Sequence, residues 1–323
     1  MTPDAALTHW HIGDLAQPDT SAGVVAFTFD ELDRARANAG QAICFHQAMS
    51  KAVPRLPRVS INVPSYRGKS LILLIAWLVA DRLIQPDGTV DWYLNTRQGP
   101  DSIHRLLQSH GWSLTKQRRG RTVCLQGTPP LSQQIPEPRS FIAQLGKHEV
   151  TLLADYGVFS STRIDDGTAL LFEVAQRHPR SGTIADIGIG YGPLAIGLVL
   201  NGVGHSAIGT ETDCVSLWLA RQNAEAHDVP LELSCTSDPA AVESTPLSVC
   251  NIPTHVNAKQ ALPFMSALAR RAHDGALLVV VHASLEARYT QHLVSAGLAV
   301  ERHAGPNHVV LQARGNAVPR TRR

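Results

Sequence analysis

Apolar residues along this chain fall into two rhythms. From residue 166 onward, short apolar runs alternate with longer stretches of helical spacing. Residues 166–177, 194–200, 215–226 and 258–272 carry the helical spacing. Between them, Thr183–Ile187, 207–209, 247–250 and the wholly apolar 276–281 ("ALLVVV") read as strands. This alternation predicts a parallel sheet with helices on both faces. The first half has the same order with a weaker start: strands at 24–27, 59–61 and 89–94, and helices at 31–38 and 70–83.

The halves also share words. "ARAN" at 35–38 echoes "ARQN" at 220–223, "INVPS" at 61–65 echoes "CNIPT" at 250–254, and "QPDGTVDWYL" at 85–94 has the layout of "AHDGALLVVV" at 272–281. Three echoes in the same order predict a duplicated, Rossmann-like α/β domain. The stretch 127–139, with four prolines and no periodicity, reads as a linker. Domains are therefore expected at 1–140 and 141–323. The first copy has nothing like the glycine turn described next, so it is expected to be a degenerate scaffold.

Composition narrows this reading only slightly. The chain is 44% hydrophobic and 17% charged, with net charge +2, an ordinary globular balance that neither requires nor forbids a nucleic-acid partner. Five cysteines without a CxxC pair suggest reduced thiols and neither a disulfide frame nor a zinc site. No signal peptide is visible, and the longest apolar run, 70–80, is too short to span a bilayer. A cytoplasmic protein without membrane or metal partners is expected.

The chemistry concentrates in "ADIGIGYGPL" (185–194). A glycine turn between strand and helix lets a ligand approach the backbone and aims a helix N-terminus at it. The dinucleotide fingerprint G-x-G-x-x-G fails here, because its third glycine position is Pro193. The pattern D-x-G-x-G-x-G resembles that of class I methyltransferases using S-adenosylmethionine. That resemblance implies that Asp186 meets the amino-acid end of the cofactor and that Gly188, Gly190 and Gly192 pass beneath it. Glu211, at the end of the next strand, is placed for the ribose hydroxyls, and Asp238, after the following one, for the adenine amino group.

Residues 156–171, "YGVFSSTRIDDGTALL", are similar to the entry motif G-V-F-S-x-x-x-L-D-x-G-x-x-L-L of the ribosomal RNA small-subunit methyltransferase C family. Members methylate N2 of a guanine and have two tandem class I methyltransferase domains, the first without cofactor. The resemblance spans nearly the whole chain, more closely over 150–315. It implies that Phe159 helps close the site, and that Asp165 and Gly167 begin the helix beside it. The family's acceptor motif N-P-P-F corresponds here to Asn251, Ile252, Pro253 and Thr254, followed by His255.

The chemistry explains such a motif. An exocyclic guanine amine is a poor nucleophile, and a carboxamide oxygen with a backbone carbonyl can accept its hydrogens and aim its lone pair. Asn251 supplies the carboxamide and Ile252 retains the carbonyl, with Pro253 following. Thr254 replaces the stacking ring, which leaves His255 as a substitute. Reaching a base in RNA requires it to be unstacked, and something must grip the backbone to offset that cost. Candidates are Lys116, Arg118, Arg119 and Arg121 in "KQRRGR", with Arg67, Lys69 and the tail 320–323.

The expectation is a methyltransferase acting on guanine N2 in ribosomal RNA or a ribosomal subunit, with S-adenosylmethionine as cofactor. Methyl transfer to a small molecule or protein, motivated by the altered N-I-P-T and the low charge, is one alternative. A non-catalytic RNA-binding assembly factor that keeps the fold is another. A dehydrogenase is disfavoured by Pro193.

Overall fold

The computed structural model describes residues 6–14, 17, 19–63, 68–178, 182–252 and 258–315, with only the backbone of 258–261. The chain forms two compact units. One comprises Met1–Arg139, Asp155–Phe159 and Asp213–Trp218, the other Ser140–Ala154, Ser160–Thr212 and Leu219–Arg323.

The first unit is built on strands β1 (His9–Ile12), β2 (Asp19–Ala26), β3 (Ala39–Cys44), β4 (Leu56–Asn62), β5 (Ile84–Asn95), β6 (Ser113–Arg119) and β7 (Thr122–Thr128), in the order β3-β2-β1-β4-β5-β7-β6. Its helices are α1 (Phe29–Asn38), α2 (Phe45–Ser50), α3 (Lys69–Leu78) and α4 (Pro100–Ser109). Local chemistry sets their starts. Thr28 and Glu31 form a capping box on α1, while Gly99 in the left-handed region hands the chain to Pro100 at the first position of α4. α3 is apolar and almost wholly buried from Leu71 to Leu78. The helix expected to reach residue 83 ends there, and Val79–Leu83 winds as a wider π-type turn. The expected linker lies just beyond β7.

The second unit opens with a hairpin, β8 (Ser140–Leu145) and β9 (His148–Leu153). There follow α5 (Asp166–Ala175), β10 (Thr183–Ile187), α6 (Pro193–Leu200), β11 (Ser206–Glu211), α7 (Cys214–Ala226) and β12 (Leu231–Cys235). The unit continues through β13 (Leu247–Asn251), α8 (Ala258–Arg271), β14 (Ala276–His282), α9 (Glu286–Ser295), β15 (Leu298–Ala304) and β16 (His308–Gly315). Its sheet order is β12-β11-β10-β13-β14-β16-β15, the order of the first unit repeated, with β10 to β14 parallel and β16 antiparallel to β14. The three sequence echoes fall at equivalent places: the helix after the second strand, the end of the fourth strand and the strand beside it.

Period-2 alternation divides the core of the second sheet between its faces. Ala185, Ile187, Cys250, Val279 and Val281 join α8 and α9 in one apolar cluster. The alternate residues Val249, Leu278, Val280 and Val310 are fully buried on the other face, where α5 packs across β13, β14 and β16. No helix among the described residues is long and apolar enough to cross a membrane.

Candidate functional site

The site lies at the carboxyl edge of the second sheet, where chain order reverses on either side of β10. In open α/β sheets this is the crevice that receives ligands. Three neighbouring strands end there: β10 at Ile187, one residue after Asp186, β11 at Glu211 and β13 at Asn251.

The turn after β10 is pinned from below. Gly188 N and Ile189 N both donate to Thr210 O, at 2.8 and 2.9 Å. Gly188, Gly190 and Gly192 have φ of +79°, +59° and +93°, a region that side chains with a Cβ rarely adopt. Their surroundings differ. A Cβ added at Gly188 or Gly190 would meet no atom within 4 Å, so the turn faces open space there. At Gly192 it would press within 3.2 Å of Ile196 and 3.5 Å of Ala220. A side chain at Gly192, the N-cap of α6, would therefore crowd the helices, which is a second reason for glycine there.

The acids are held in position by donors of the turns around them. Asp186 is 2% exposed, and its Oδ2 accepts from Ala195 N, in the first turn of α6, at 3.2 Å. Burial raises its pKa to about 7, and the charge of Glu211 adds to this against the Ala195 bond. Glu211 Oε2 accepts from Gly190 N at 3.1 Å and Oε1 from Thr212 N at 2.7 Å. Thr212 Oγ1 also donates to Oε1, at 3.2 Å. Asp238 is exposed, and its Oδ1 caps a short 3-10 turn by accepting from Ala240 N at 2.9 Å. That turn belongs to a loop gathered by Arg271, whose buried guanidinium donates to the carbonyls of Pro239, Val242 and Glu243 at 2.8–3.0 Å and to Ser248 Oγ at 2.9 Å.

On the acceptor side, Asp165 is the N-cap of α5. Its Oδ1 accepts from Gly167 N and Thr168 N at 3.0 and 3.1 Å. Asn251 Nδ2 donates to the same carboxylate at 3.2 and 3.4 Å and to Thr168 Oγ1 at 2.9 Å. The structure thus brings Asp165 to Asn251, 86 residues away in sequence. Ile252 is buried, and Phe159 is 75% exposed. Pro253, Thr254 and His255 lie outside the described residues, as do Arg67 and the tail 320–323.

Residues that sequence reasoning did not single out brace this edge. Asn223 is buried; its Nδ2 donates to Tyr191 O at 2.9 Å and Leu153 O at 3.0 Å, tying the glycine turn to β9. The Tyr191 hydroxyl donates to Ser160 O at 3.1 Å, and burial raises its pKa. Asn223 closes the repeated word "ARQN", the signal that could have marked it. Thr168 carried none.

In the first unit, the basic stretch forms the β6–β7 hairpin around Gly120. Lys116 pairs with Asp101, and Arg118 Nε donates to Gly120 O at 3.2 Å. Arg119 and Arg121 are exposed.

Strand order, the open glycine turn, the helix N-terminus above it and an acid closing the second strand together define a class I methyltransferase fold in the second unit, and the first unit repeats its strand order. Residues 149–305 match the family model of the methyltransferase small domain. Both units together are similar to the T. thermophilus 16S rRNA N2 G1207 methyltransferase RsmC, solved with AdoMet and guanosine. Identity is 19%, the TM-score 0.70, and the match covers 96% of this chain and 89% of that one. A ribosomal protein L11 methylase from Lactobacillus delbrueckii subsp. bulgaricus matches over 54% of this chain and 99% of its own, at 22% identity and TM-score 0.43. Comparison with curated protein sequences finds no match. The chain therefore has the fold, and in 149–305 the domain, of methyltransferases whose cofactor is S-adenosylmethionine.

Proposed function

We propose that this chain methylates the exocyclic N2 of a guanine in ribosomal RNA. The observation that carries the reading is a carboxamide, Asn251, at the end of the strand next to an open glycine turn flanked by Asp186 and Glu211. The cradle suits S-adenosylmethionine: two acids for its cationic and hydroxyl groups, and open space where a Cβ would otherwise sit. The cofactor, when bound, supplies an electrophilic methyl group. The chain's own residues do the rest. Asp186 receives the amino end of the ligand, Glu211 accepts from two hydroxyls, and Asp238 is reached by an amino group at the loop after β12. Asn251 Oδ1 and the Ile252 carbonyl accept the hydrogens of the incoming amine, leaving its lone pair free. Deprotonation can follow transfer to solvent, so no strong base is required.

The tandem architecture shared with an enzyme acting on N2 of a 16S rRNA guanine supports RNA as the substrate. Arg118, Arg119 and Arg121, on an exposed hairpin, are proposed to hold its phosphates. A second reading, methyl transfer to a small molecule or protein, is favoured by Ile252 where the family has proline and Thr254 where it has an aromatic ring.

The test is label transfer from methyl-tritiated S-adenosylmethionine to deproteinised small-subunit RNA and to immature subunits, followed by nucleoside mass spectrometry. N2-methylguanosine is expected. Label appearing only in protein or small molecules would replace this reading with the second one.

A further inference from the structure

We infer that Thr168 is a positioning residue that, with Asp165, locks the carboxamide of Asn251 so that Oδ1 is all it can offer an acceptor; the inference rests on the methyl-transfer reading of the site. The partners of the Asn251 amide fix which way it points. Oxygen and nitrogen of an asparagine are told apart by their partners, and an ionised carboxylate only accepts. The group facing both oxygens of Asp165, at 3.2 and 3.4 Å, must therefore be the NH2. One of its hydrogens is shared by that carboxylate, and the other is directed to Thr168 Oγ1 at 2.9 Å. Both amide hydrogens are thereby occupied inside the protein.

Asp165 cannot yield easily, because the same Oδ1 caps α5 through Gly167 N and Thr168 N. Thr168 is buried, which keeps water from competing for the amide. The carboxamide then acts as a fixed acceptor. It favours a nucleophile that carries a hydrogen, such as an amine, and repels a bare ring nitrogen, whose lone pair would oppose that of Oδ1. The lock is one source of acceptor selectivity, supplied by two residues that need not touch the substrate.

The experiment compares the full-length wild type with Thr168→Val, which keeps shape and loses the acceptor, Thr168→Ser, which restores it, and Asp165→Asn, which retains a helix cap but no longer demands the NH2. In protein labelled with 15N-asparagine, the Asn251 side-chain amide is expected to exchange slowly with solvent. Exchange should be fast in Thr168→Val and Asp165→Asn, and slow again in Thr168→Ser. In turnover on deproteinised small-subunit RNA, Thr168→Val should lower kcat about tenfold, one hydrogen bond's worth, with KM for the cofactor unchanged and Thr168→Ser recovering. Unaltered amide exchange in both disrupting variants would overturn the lock, as would loss of cofactor affinity in step with kcat, which marks mere unfolding. A wild type that binds the cofactor but leaves RNA unmodified would sink the RNA reading alone, since amide exchange still decides the lock.

Discussion

His11 and Asp186 hold the same place in two copies of one sheet, and their difference explains why one copy has a site. Aligning "INVPS" with "CNIPT" puts Ser60 at Val249 and Asn62 at Asn251; His11 pairs across to Ser60 as Asp186 does to Val249. In the second unit the chain takes residues 188–205, including α6, to pass from β10 to β11, so a helix N-terminus rises over an open turn. In the first unit only 13–18 join β1 to β2. Asp14 O there accepts from Asn62 Nδ2 at 2.8 Å and lies 2.8 Å from His11 Nε2. The equivalent asparagine is thus turned onto the connection between β1 and β2. An imidazole in place of a carboxylate offers no negative charge to a cationic ligand, and burial holds the His11 pKa below the ordinary histidine value.

The two sheets differ in the same sense across their width. Ser60, Asp91 and Tyr93 stand where Val249, Leu278 and Val280 are buried under α5. Asp91 accepts from Arg58 and Gln126 at 2.7 Å each, a polar arrangement that suits a face without a packed helix. A sheet keeps apolar residues on both faces only where both are covered. In the second unit the covering helix α5 comes just before β10 and the ligand cradle just after it, and the described residues of the first unit hold a counterpart of neither.

The largest expected effect contrasts Arg271 with Ile84, its apolar counterpart in the first unit. Arg271→Ile should leave the carbonyls of Pro239, Val242 and Glu243 without their donor and cost about 3 kcal/mol, seen as a lowered melting transition with weaker cofactor binding. An unchanged melting curve would show that this loop needs no tie. Next, Glu211→Ala should weaken cofactor binding about 100-fold by removing two charge-assisted bonds, whereas His11→Ala should leave it alone; isothermal calorimetry reads both. Cofactor binding lost equally in both variants would erase the contrast between the units.

The pH dependence of Asp186 follows. With its free-state pKa near 7, affinity for a cationic ligand should fall about tenfold per pH unit below 7. For the ligand-free protein the sign reverses. The folded state holds this proton to higher pH than the unfolded chain, so stability from this group is greatest below the ordinary aspartate range. It declines as pH rises to about 7. Thermal melts of wild type against Asp186→Asn from pH 5 to 8 should diverge in that direction, and parallel curves would refute it. The smallest effect is at the surface. Arg119→Ala should weaken binding to deproteinised small-subunit RNA a few-fold and reduce the salt slope by about one, while Lys116→Ala, already paired with Asp101, should do less. Equal effects would mean that the hairpin contributes only its net charge.

By itself the sequence determined the duplication, the strand–helix alternation and the glycine turn with its two acids. These are encoded by apolar periodicity and short spacings, which act along the chain. Only the tertiary structure decided that Gly192 packs a helix while Gly188 and Gly190 face open space, that Arg271 gathers the Asp238 loop, and that Asp165 and Thr168 hold Asn251. Those relations join residues tens of positions apart, and a hydrogen bond depends on distance and direction that local pattern does not carry. The same holds for the polar face of the first sheet. Its alternation is present in β4 and β5, but only the tertiary structure shows that the described residues of the first unit place no counterpart of α5 over it.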